Sequence, residues 1–418
     1  MTAIDAVGLA VPAYRQRPAP PAGDGAFHGA AGTFARILIR GGLLMIVTLG
    51  IYRFWLTTDI RRFLWSNTEV AGDRLEYIGT ARELLLGFLI ALAVLVPIYG
   101  GIFLLSFGSP AAAKIVSSMS FLVLLVFGQF AVYRARRYRL TRTIFRGLRL
   151  HQTGSGFVYA LLWMLWWVLI ILTLGLAYPW AQAGLERYKM RHTFYGNLQG
   201  RFAGSGTRLF VRGILMWLAV VPPLILGISF VAVNAPNWGT IAQMGAKGPM
   251  SGVVALMVLG AFWSALAVIL LYPVFQAMLL RWWLDGLRFG DVAVTSRLRT
   301  STVYGIYLRF LAYALLLALV GLIVTALVGG IVWRTFIGYG TVNEHQLLAG
   351  GLGMGLYVVA ALAFSTIYQT TVKLGIWRLA FETLDLAGTA ALDSVQAVNQ
   401  PSSAVGEGIA DALNVGGF

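Results

Sequence analysis

A chain of 418 residues with 58% apolar and only 11% charged side chains is not an ordinary water-soluble protein, because soluble domains carry about 25% charged residues. Several apolar runs are long enough to cross a hydrocarbon core of about 30 Å as helices, so the predicted fold class is an all-α polytopic membrane protein. The net charge of +16 comes from Arg residues grouped between these runs, which indicates the positive-inside rule rather than nucleic-acid binding. The chain has no cysteine, which excludes disulfides, thiol catalysis and cysteine-ligated metals.

The chain begins with a predicted disordered tail, 1–27, which lacks the basic segment and apolar core of a signal peptide. The first apolar run, 36–55, is interrupted by the break Thr48-Leu49-Gly50 and leads into a basic stretch. Gly72-Asp73 follows between alternating flanks, and this pattern predicts a small cytosolic β-hairpin.

Six longer apolar runs are predicted to be full transmembrane helices in three hairpins. They lie at 83–107 and 115–133, at 208–232 and 251–280, and at 304–333 and 347–372. The first hairpin ends in the most basic loop of the chain, 134–155, which we therefore expect in the cytoplasm together with both termini. Gly290-Asp291 predicts a second β-hairpin after the second pair of spans. The polar, Gly-rich tail 390–418 is predicted to be disordered.

The run 157–180 resembles the first apolar run. It carries Thr173-Leu174-Gly175, and in both runs a Trp stands five residues after the Gly. This similarity predicts an internal pseudo-repeat. Its boundaries are 28–150 for the first membrane repeat, 151–300 for the second, and 301–389 for a last hairpin with a partial repeat.

The basic loops 134–155 and 181–207 raise a topology problem, since only the run 157–180 separates them. If both loops are cytoplasmic, 36–55 and 157–180 are re-entrant or interfacial and bend at their Thr-Leu-Gly breaks. Such backbone is tolerated at membrane depth only where other protein covers it. The alternative is eight plain spans, with one basic loop that violates the charge rule.

The order and spacing of these residues resemble the YjgN-like family of bacterial inner-membrane proteins, domain of unknown function 898. The first matching block contains Phe27, Gly29, Thr48-Leu49-Gly50-Ile51-Tyr52, Trp55, Arg61-Arg62, Asn67-Thr68, Gly72, Tyr77, Gly79-Thr80 and Leu84. The second contains Leu174-Gly175, Tyr178-Pro179-Trp180-Ala181, Tyr188-Lys189, His192-Thr193, Phe194 and Phe202. The resemblance implies a polytopic protein of the Gram-negative inner membrane with no known reaction and no functional residues to carry over. It also suggests a neighbouring membrane-linked M48-type metalloprotease as a partner.

No pattern in the sequence predicts an enzyme or a cofactor. The four histidines have no helical zinc spacing; they are His28, His151, His192 and His345. Gly154-Ser155-Gly156 and Gly204-Ser205-Gly206 stand at loop-to-helix junctions, where Ser is expected to act as an N-cap rather than as a nucleophile.

Basic and aromatic residues beside the two Thr-Leu-Gly breaks form the candidate binding site for anionic lipid headgroups or an anionic ligand. These residues are Arg61, Arg62, Arg187, Arg191, Trp55, Trp180, Asn67 and Asn197. Topology determination alone is the competing interpretation of the basic residues. Three intramembrane polar residues, Gln129, Gln276 and Gln369, are expected to hydrogen-bond between spans or to line a polar pathway.

Two functional hypotheses remain open from the sequence. One is transport or handling of a lipid or an anionic small molecule, which requires a cavity at the Thr-Leu-Gly breaks. The other is a non-catalytic membrane scaffold or regulator of a partner such as the metalloprotease.

Overall fold

The computed structural model describes residues 24–105, 107, 110–234, 251–332 and 342–396. The helices in this part are α1 (Ala31–Val47), α2 (Arg53–Ser66), α3 (Ala81–Leu105), α4 (Pro110–Thr141), α5 (Gly156–Leu172), α6 (Tyr178–Arg191), α7 (Gly206–Asn234), α8 (Ser251–Gly286), α9 (Thr300–Val332), α10 (Val342–Tyr368) and α11 (Leu374–Glu382). A π-helical segment, Gln369–Lys373, joins α10 to α11.

Short strands follow the second helix of each pair, and one more strand, β1, precedes α1. They are β1 (Gly25–Phe27), β2 (Thr68–Val70), β3 (Asp73–Arg74), β4 (Glu76–Tyr77), β5 (Thr143–Phe145), β6 (Leu148–Gln152), β7 (Thr193–Tyr195), β8 (Leu198–Phe202), β9 (Leu287–Phe289), β10 (Val292–Ser296) and β11 (Leu384–Ala387). The turns of the two predicted β-hairpins are present, between β2 and β3 and between β9 and β10.

The helices form five antiparallel hairpins, α1/α2, α3/α4, α5/α6, α7/α8 and α9/α10–α11, arranged in a ring. The second helix of each hairpin packs against the first helix of the next, and α10 of the last hairpin packs against α1 of the first. By length and composition, five helices in the described residues could cross a membrane, and they lie in α3, α7, α8, α9 and α10–α11. This confirms the polytopic helical class. The count is one below the six predicted spans, because α4 is not among the five.

The two shorter hairpins, α1/α2 and α5/α6, contain the two Thr-Leu-Gly breaks. Each break is a tight turn with left-handed backbone, at Leu49 (φ 50°) and Gly50 (φ 91°) and at Leu174 (φ 52°) and Gly175 (φ 94°). The Thr hydroxyl donates to the carbonyl four residues earlier and accepts the backbone N–H four residues later, as Thr173 does with Leu169 O and Ala177 N. The three residues therefore reverse the chain, and the second helix of each hairpin runs back alongside the first.

The strand pairing bears on the topology problem raised by the basic loops. The strands β6 and β7, which flank α5/α6, are hydrogen-bonded neighbours with Leu150 opposite Tyr195. The strand segments of the predicted loops 134–155 and 181–207 consequently lie on one side of the helices, whereas residues 134–141 belong to α4 and residues 181–191 to α6. This arrangement agrees with a re-entrant 157–180 segment and disagrees with the eight-span alternative.

The strands close into a ring beneath the helices. One sheet has the order β1-β2-β3 and the other runs from β4 to β11, and a single residue, Leu75, separates β3 from β4. At the other junction the backbone N–H of Asp24 donates to Leu384 O (3.0 Å), and the Asp24 carboxylate accepts the N–H of Leu386 (2.6 Å). The first and last segments of the described chain thus complete the same ring.

An Arg six residues before the strand recurs on the second helix of every hairpin: Arg62, Arg137, Arg187, Arg281 and Arg378. Four of these guanidinium groups donate to a carbonyl two residues before the next hairpin's first helix. The acceptors are Gly79 O for Arg62 (3.1 Å), Gly204 O for Arg187 (3.1 Å), Leu298 O for Arg281, and Gly29 O for Arg378 (2.8 Å). The last of these bonds joins the fifth hairpin to the first. We call these four residues the clamp arginines, because each ties one hairpin to its neighbour.

The ordered structure extends into both predicted tails. Residues 25–27 form β1, and a 3-10 helix at Thr389–Ser394 follows β11. Arg146, at the β5–β6 turn, donates to Asp393 (2.9 Å) and to Asp73 at the β2–β3 turn (2.7 Å). Residues 1–23 and 397–418, which make up most of the two tails, lie outside the described residues.

Candidate functional site

An apolar cavity of about 370 Å³ lies between the short hairpin α5/α6 and the hairpin α7/α8. The second Thr-Leu-Gly break forms one wall through Gly175, Leu176 and Pro179. The indole N–H of Trp217 on α7 donates to Leu174 O at 2.8 Å, which satisfies a carbonyl that the broken helix exposes. The break is therefore both a chain reversal and the wall of a cavity.

The lining of the cavity consists of aliphatic and aromatic side chains and contains no charged residue among those described. The lining residues of α7 and α8 include Phe210, Gly213, Ile214, Trp217, Val221, Val268, Leu271, Tyr272, Phe275 and Met278. Gly213 leaves room on the α7 side, because a Cβ built there would meet only Met278 Cε, at 3.6 Å. Such a lining suits a hydrocarbon ligand, since few polar groups would have to be desolvated on binding.

The cavity opens toward the surface that the apolar helices present to a membrane. Two lining residues of α8, Val268 and Tyr272, are 48% and 42% exposed. The Tyr272 hydroxyl accepts a hydrogen bond from the side-chain amide of Gln276, at 2.7 Å, so a polar pair stands beside the apolar lining. A chain of methylene groups could enter between these helices without crossing polar protein surface.

Of the residues predicted for a site, Trp180 and Gln276 contact this cavity's lining. Trp180 packs on Phe210 with ring centroids 4.9 Å apart, and Gln276 bonds Tyr272. The four predicted arginines do not line it. Sequence reasoning missed Gly213 and Trp217, although a Gly and a Trp spaced four apart in an apolar run that follows a helix break are a usable signal.

Three of the four predicted arginines have separate structural partners, and the four do not form a common site. Arg62 and Arg187 are clamp arginines of different hairpins. Arg61 is 1% exposed and donates to the Tyr77 hydroxyl at 3.2 Å. Arg191 is exposed on α6, and in the described chain its side chain makes no hydrogen bond or ion pair.

The other predicted residues are also distributed around the ring. Trp55 stacks on Tyr52 (6.1 Å between centroids), and the Asn67 amide donates to Phe63 O (2.8 Å). Asn197, at the β7–β8 turn, accepts the backbone N–H of Gln396 at 3.1 Å.

The intramembrane glutamines bond within their own helices where a partner is described. The amide of Gln369 donates to Ser365 at 3.1 Å, as Gln276 does to Tyr272, both four residues earlier. The expected bond between spans is absent for these two within the described residues. Gln129 is half-buried on α4.

The two Gly-Ser-Gly segments act as helix caps. The hydroxyl oxygens of Ser155 and Ser205 accept the N–H of Val158 and Arg208, at 3.4 Å in each case. This confirms the capping interpretation of both segments.

A buried charge cluster lies where α4, α6 and α8 meet. Glu186, 8% exposed, accepts from the Trp283 indole N–H (3.1 Å) and from the ammonium group of Lys189. Arg136 lies close enough for its charge to interact with Glu186, and it donates to Met190 Sδ at 3.4 Å. Burial lowers the pKa of Lys189 below its ordinary value, and Glu186 opposes that shift. One carboxylate therefore balances two half-buried cations.

Residues 23–412 match a family model described as a bacterial protein of unknown function, DUF898. The chain belongs to this family. It is similar to the inner membrane protein YjgN of Escherichia coli O157:H7, with 28% identity over 202 residues that cover 48% of this chain and 44% of that protein. It is also similar to YjgN of Escherichia coli strain K12, with 29% identity over 153 residues, 36% of this chain and 35% of that protein.

The matched segments span less than half the length of these relatives. No solved structure matches the chain. Together with the apolar helices, the relatives identify a polytopic inner-membrane protein of a family with no established activity.

Proposed function

We propose that this protein binds a membrane lipid, whose acyl chain occupies the apolar cavity at the second Thr-Leu-Gly break. The observation that carries the proposal is an uncharged cavity of about 370 Å³ at the turn of a helix pair that does not continue across the helical layer. Burial of each methylene group contributes about 0.8 kcal/mol. An acyl chain in the cavity would also cover the broken helix beside Trp217, whose indole N–H donates to Leu174 O.

The contacts in the cavity support binding of a lipid more than binding of an anionic small molecule. Phe210, Val268 and Phe275 offer no charge to an anion, and the clamp arginines donate to backbone carbonyls elsewhere. At the first break, a Cβ on Gly50 would meet nothing within 4 Å among the described residues, so no side chain approaches it as Trp217 approaches Gly175. The proposal therefore concerns one site.

Photocrosslinking tests the proposal. The protein is reconstituted with a phospholipid that carries a diazirine on its acyl chain, and labelled peptides are quantified. We expect labelling of the α7 and α8 cavity peptides, relative to labelling of α3, to fall strongly in Gly213→Phe, because the new ring fills the cavity. Gly321→Leu is the matched control, since Gly321 lies on α9 with nothing within 4 Å of an added Cβ.

An unchanged ratio in Gly213→Phe would refute lipid binding in the cavity. The scaffold hypothesis would then be preferred, and copurification with a membrane metalloprotease would be the next measurement. Equal loss in both variants would show that a larger residue in any span lowers labelling, and it would also count against the cavity.

A further inference from the structure

A second cleft, of about 410 Å³, lies where the last hairpin of the ring meets the first. Its walls come from α9, from the π-helical segment with α11, and from the start of α1. The lining residues are Ala31, Thr302, Ile306, Arg309, Tyr313, Thr370, Thr371, Leu374, Gly375, Arg378, Leu379 and Glu382. We call it the seam cleft. It shares no residue with the apolar cavity and is independent of the proposed function.

Arg309 is the unusual residue of the seam cleft, because it lies inside an apolar helix that could span the membrane, Thr300–Gly330. It stands nine residues after Thr300, about 14 Å along the helix. Its Nε donates to Gly305 O of the same helix at 3.3 Å. In the part of the chain that the structure describes, no carboxylate lies within ion-pair distance of Arg309. A cation at this depth is costly without a counter-charge.

The other charged groups of the cleft are already paired with each other. Arg378 donates to Gly29 O at 2.8 Å as a clamp arginine, and its Nε lies 3.7 Å from the Glu382 carboxylate. The net charge of the seam cleft is therefore positive by one, and Arg309 supplies it. An anion that enters the cleft would meet one guanidinium group whose charge is not balanced by the protein.

Hydroxyl groups converge on the same space. Thr370 and Thr371 belong to the π-helical segment Gln369–Lys373, and such segments are frequent at functional sites. The Thr370 hydroxyl already donates to Thr366 O at 2.7 Å, so it is not counted as a donor to a ligand. Within the described residues the hydroxyls of Thr371 and Thr302 bond no protein atom. Hydroxyl and guanidinium donors together suit a phosphate oxygen.

We infer that the seam cleft binds the phosphate group of an anionic membrane lipid, with Arg309 as its ion-pair partner and Thr302 and Thr371 as hydrogen-bond donors. A lipid is preferred to a free anion because the surface beside Arg309 is apolar and open. Leu308 and Leu311 are 61% and 51% exposed on the same helix, where acyl chains would lie. The headgroup would enter the cleft and its chains would remain in the bilayer.

Binding of short-chain lipids to the purified full chain in detergent tests the inference. Dioctanoyl phosphatidylglycerol, dioctanoyl phosphatidylcholine and inorganic phosphate are each titrated while the thermal unfolding midpoint is followed. We expect phosphatidylglycerol to raise the midpoint saturably and Arg309→Gln to weaken its apparent Kd about tenfold, the effect of one charge-assisted bond. Thr371→Val should weaken it less. Arg212→Gln is the matched control, since Arg212 is an exposed residue near the start of α7, outside the cleft.

Equal phosphatidylglycerol affinity in wild type and Arg309→Gln would overturn the inference. Stabilisation by inorganic phosphate at the same concentrations would show a free-anion site and overturn the lipid assignment, and so would equal stabilisation by phosphatidylcholine. If Arg309→Gln fails to fold, Arg309→Lys and Thr371→Val carry the test, with a weaker Kd expected in each. Crosslinking in the apolar cavity should be unaffected by these variants, so the two proposals fail separately.

Discussion

Replacement of the clamp arginine Arg187 by Ala tests whether this residue stabilises the fold or, as the sequence suggested, binds a ligand. The variant removes the bond to Gly204 O (3.1 Å), which ties the short hairpin α5/α6 to α7. Hydrogen bonds from charged donors contribute about 1.5–3 kcal/mol, and we expect the lower end because Arg187 is exposed. With an unfolding entropy of about 2.1 cal/mol/K per residue, a chain of this length should lose about 2 °C in unfolding midpoint.

The triple variant of Arg62, Arg187 and Arg378 increases the effect to a measurable size. The three bonds lie in different hairpins, so their losses should add, and we expect a decrease of about 5 °C. Unfolding followed by tryptophan fluorescence in detergent gives the midpoint. Arg191→Ala on the same helix as Arg187 is the control and should change the stability by less than about 0.5 kcal/mol. If Arg191→Ala costs as much as Arg187→Ala, or if the triple variant is as stable as wild type, the clamp interpretation is wrong.

Three further predictions follow from the hairpin ring and the buried charges. Single cysteines at Ser155 and Arg191 should react with a membrane-impermeant thiol reagent only from the cytoplasmic side, and a cysteine at Leu49 should react from neither side. Labelling of positions 155 and 191 from opposite sides would support the eight-span topology. Glu186→Gln should destabilise the protein by about 1–3 kcal/mol in a denaturant titration, because two half-buried cations lose their counter-charge. A neutral result would contradict this role of Glu186. Burial depresses the pKa of Lys189 in the folded state, so the unfolded chain binds more protons just below pH 10.5. Stability should therefore rise with pH up to that value, and the rise should be smaller in Lys189→Met. Identical pH profiles of the two proteins would contradict the assignment.

Local patterns in the sequence were sufficient where neighbouring residues decide the structure. Thr48-Leu49-Gly50 and Thr173-Leu174-Gly175 predicted breaks because a Gly accepts the left-handed backbone that a tight turn requires, and both turns have that geometry. The caps at Ser155 and Ser205 were predictable for the same reason, since each bond closes within three residues. The membrane class followed from composition alone.

The roles of the arginines were not predictable from one sequence. A basic residue beside a helix end is equally compatible with three roles: orienting the protein by the positive-inside rule, binding a lipid headgroup, or donating to a distant carbonyl. Arg187 and Arg191 are separated by one helical turn, and only the approach of Gly204 distinguishes them. The recurrence of an Arg six residues before a strand could be recognised only after the strand positions were known.

Composition and local spacing determined that this chain is a membrane protein with broken apolar segments and paired basic loops, because hydrophobicity and turn formation depend on adjacent residues. Tertiary structure alone decided that the strands of these loops lie on one side, that five hairpins close a ring, and that a cavity stands at the second break. The physical reason is that strand pairing such as Leu150 with Tyr195 and contacts such as Trp217 with Leu174 join residues about 40 positions apart. Their energies depend on which surfaces the ring brings together.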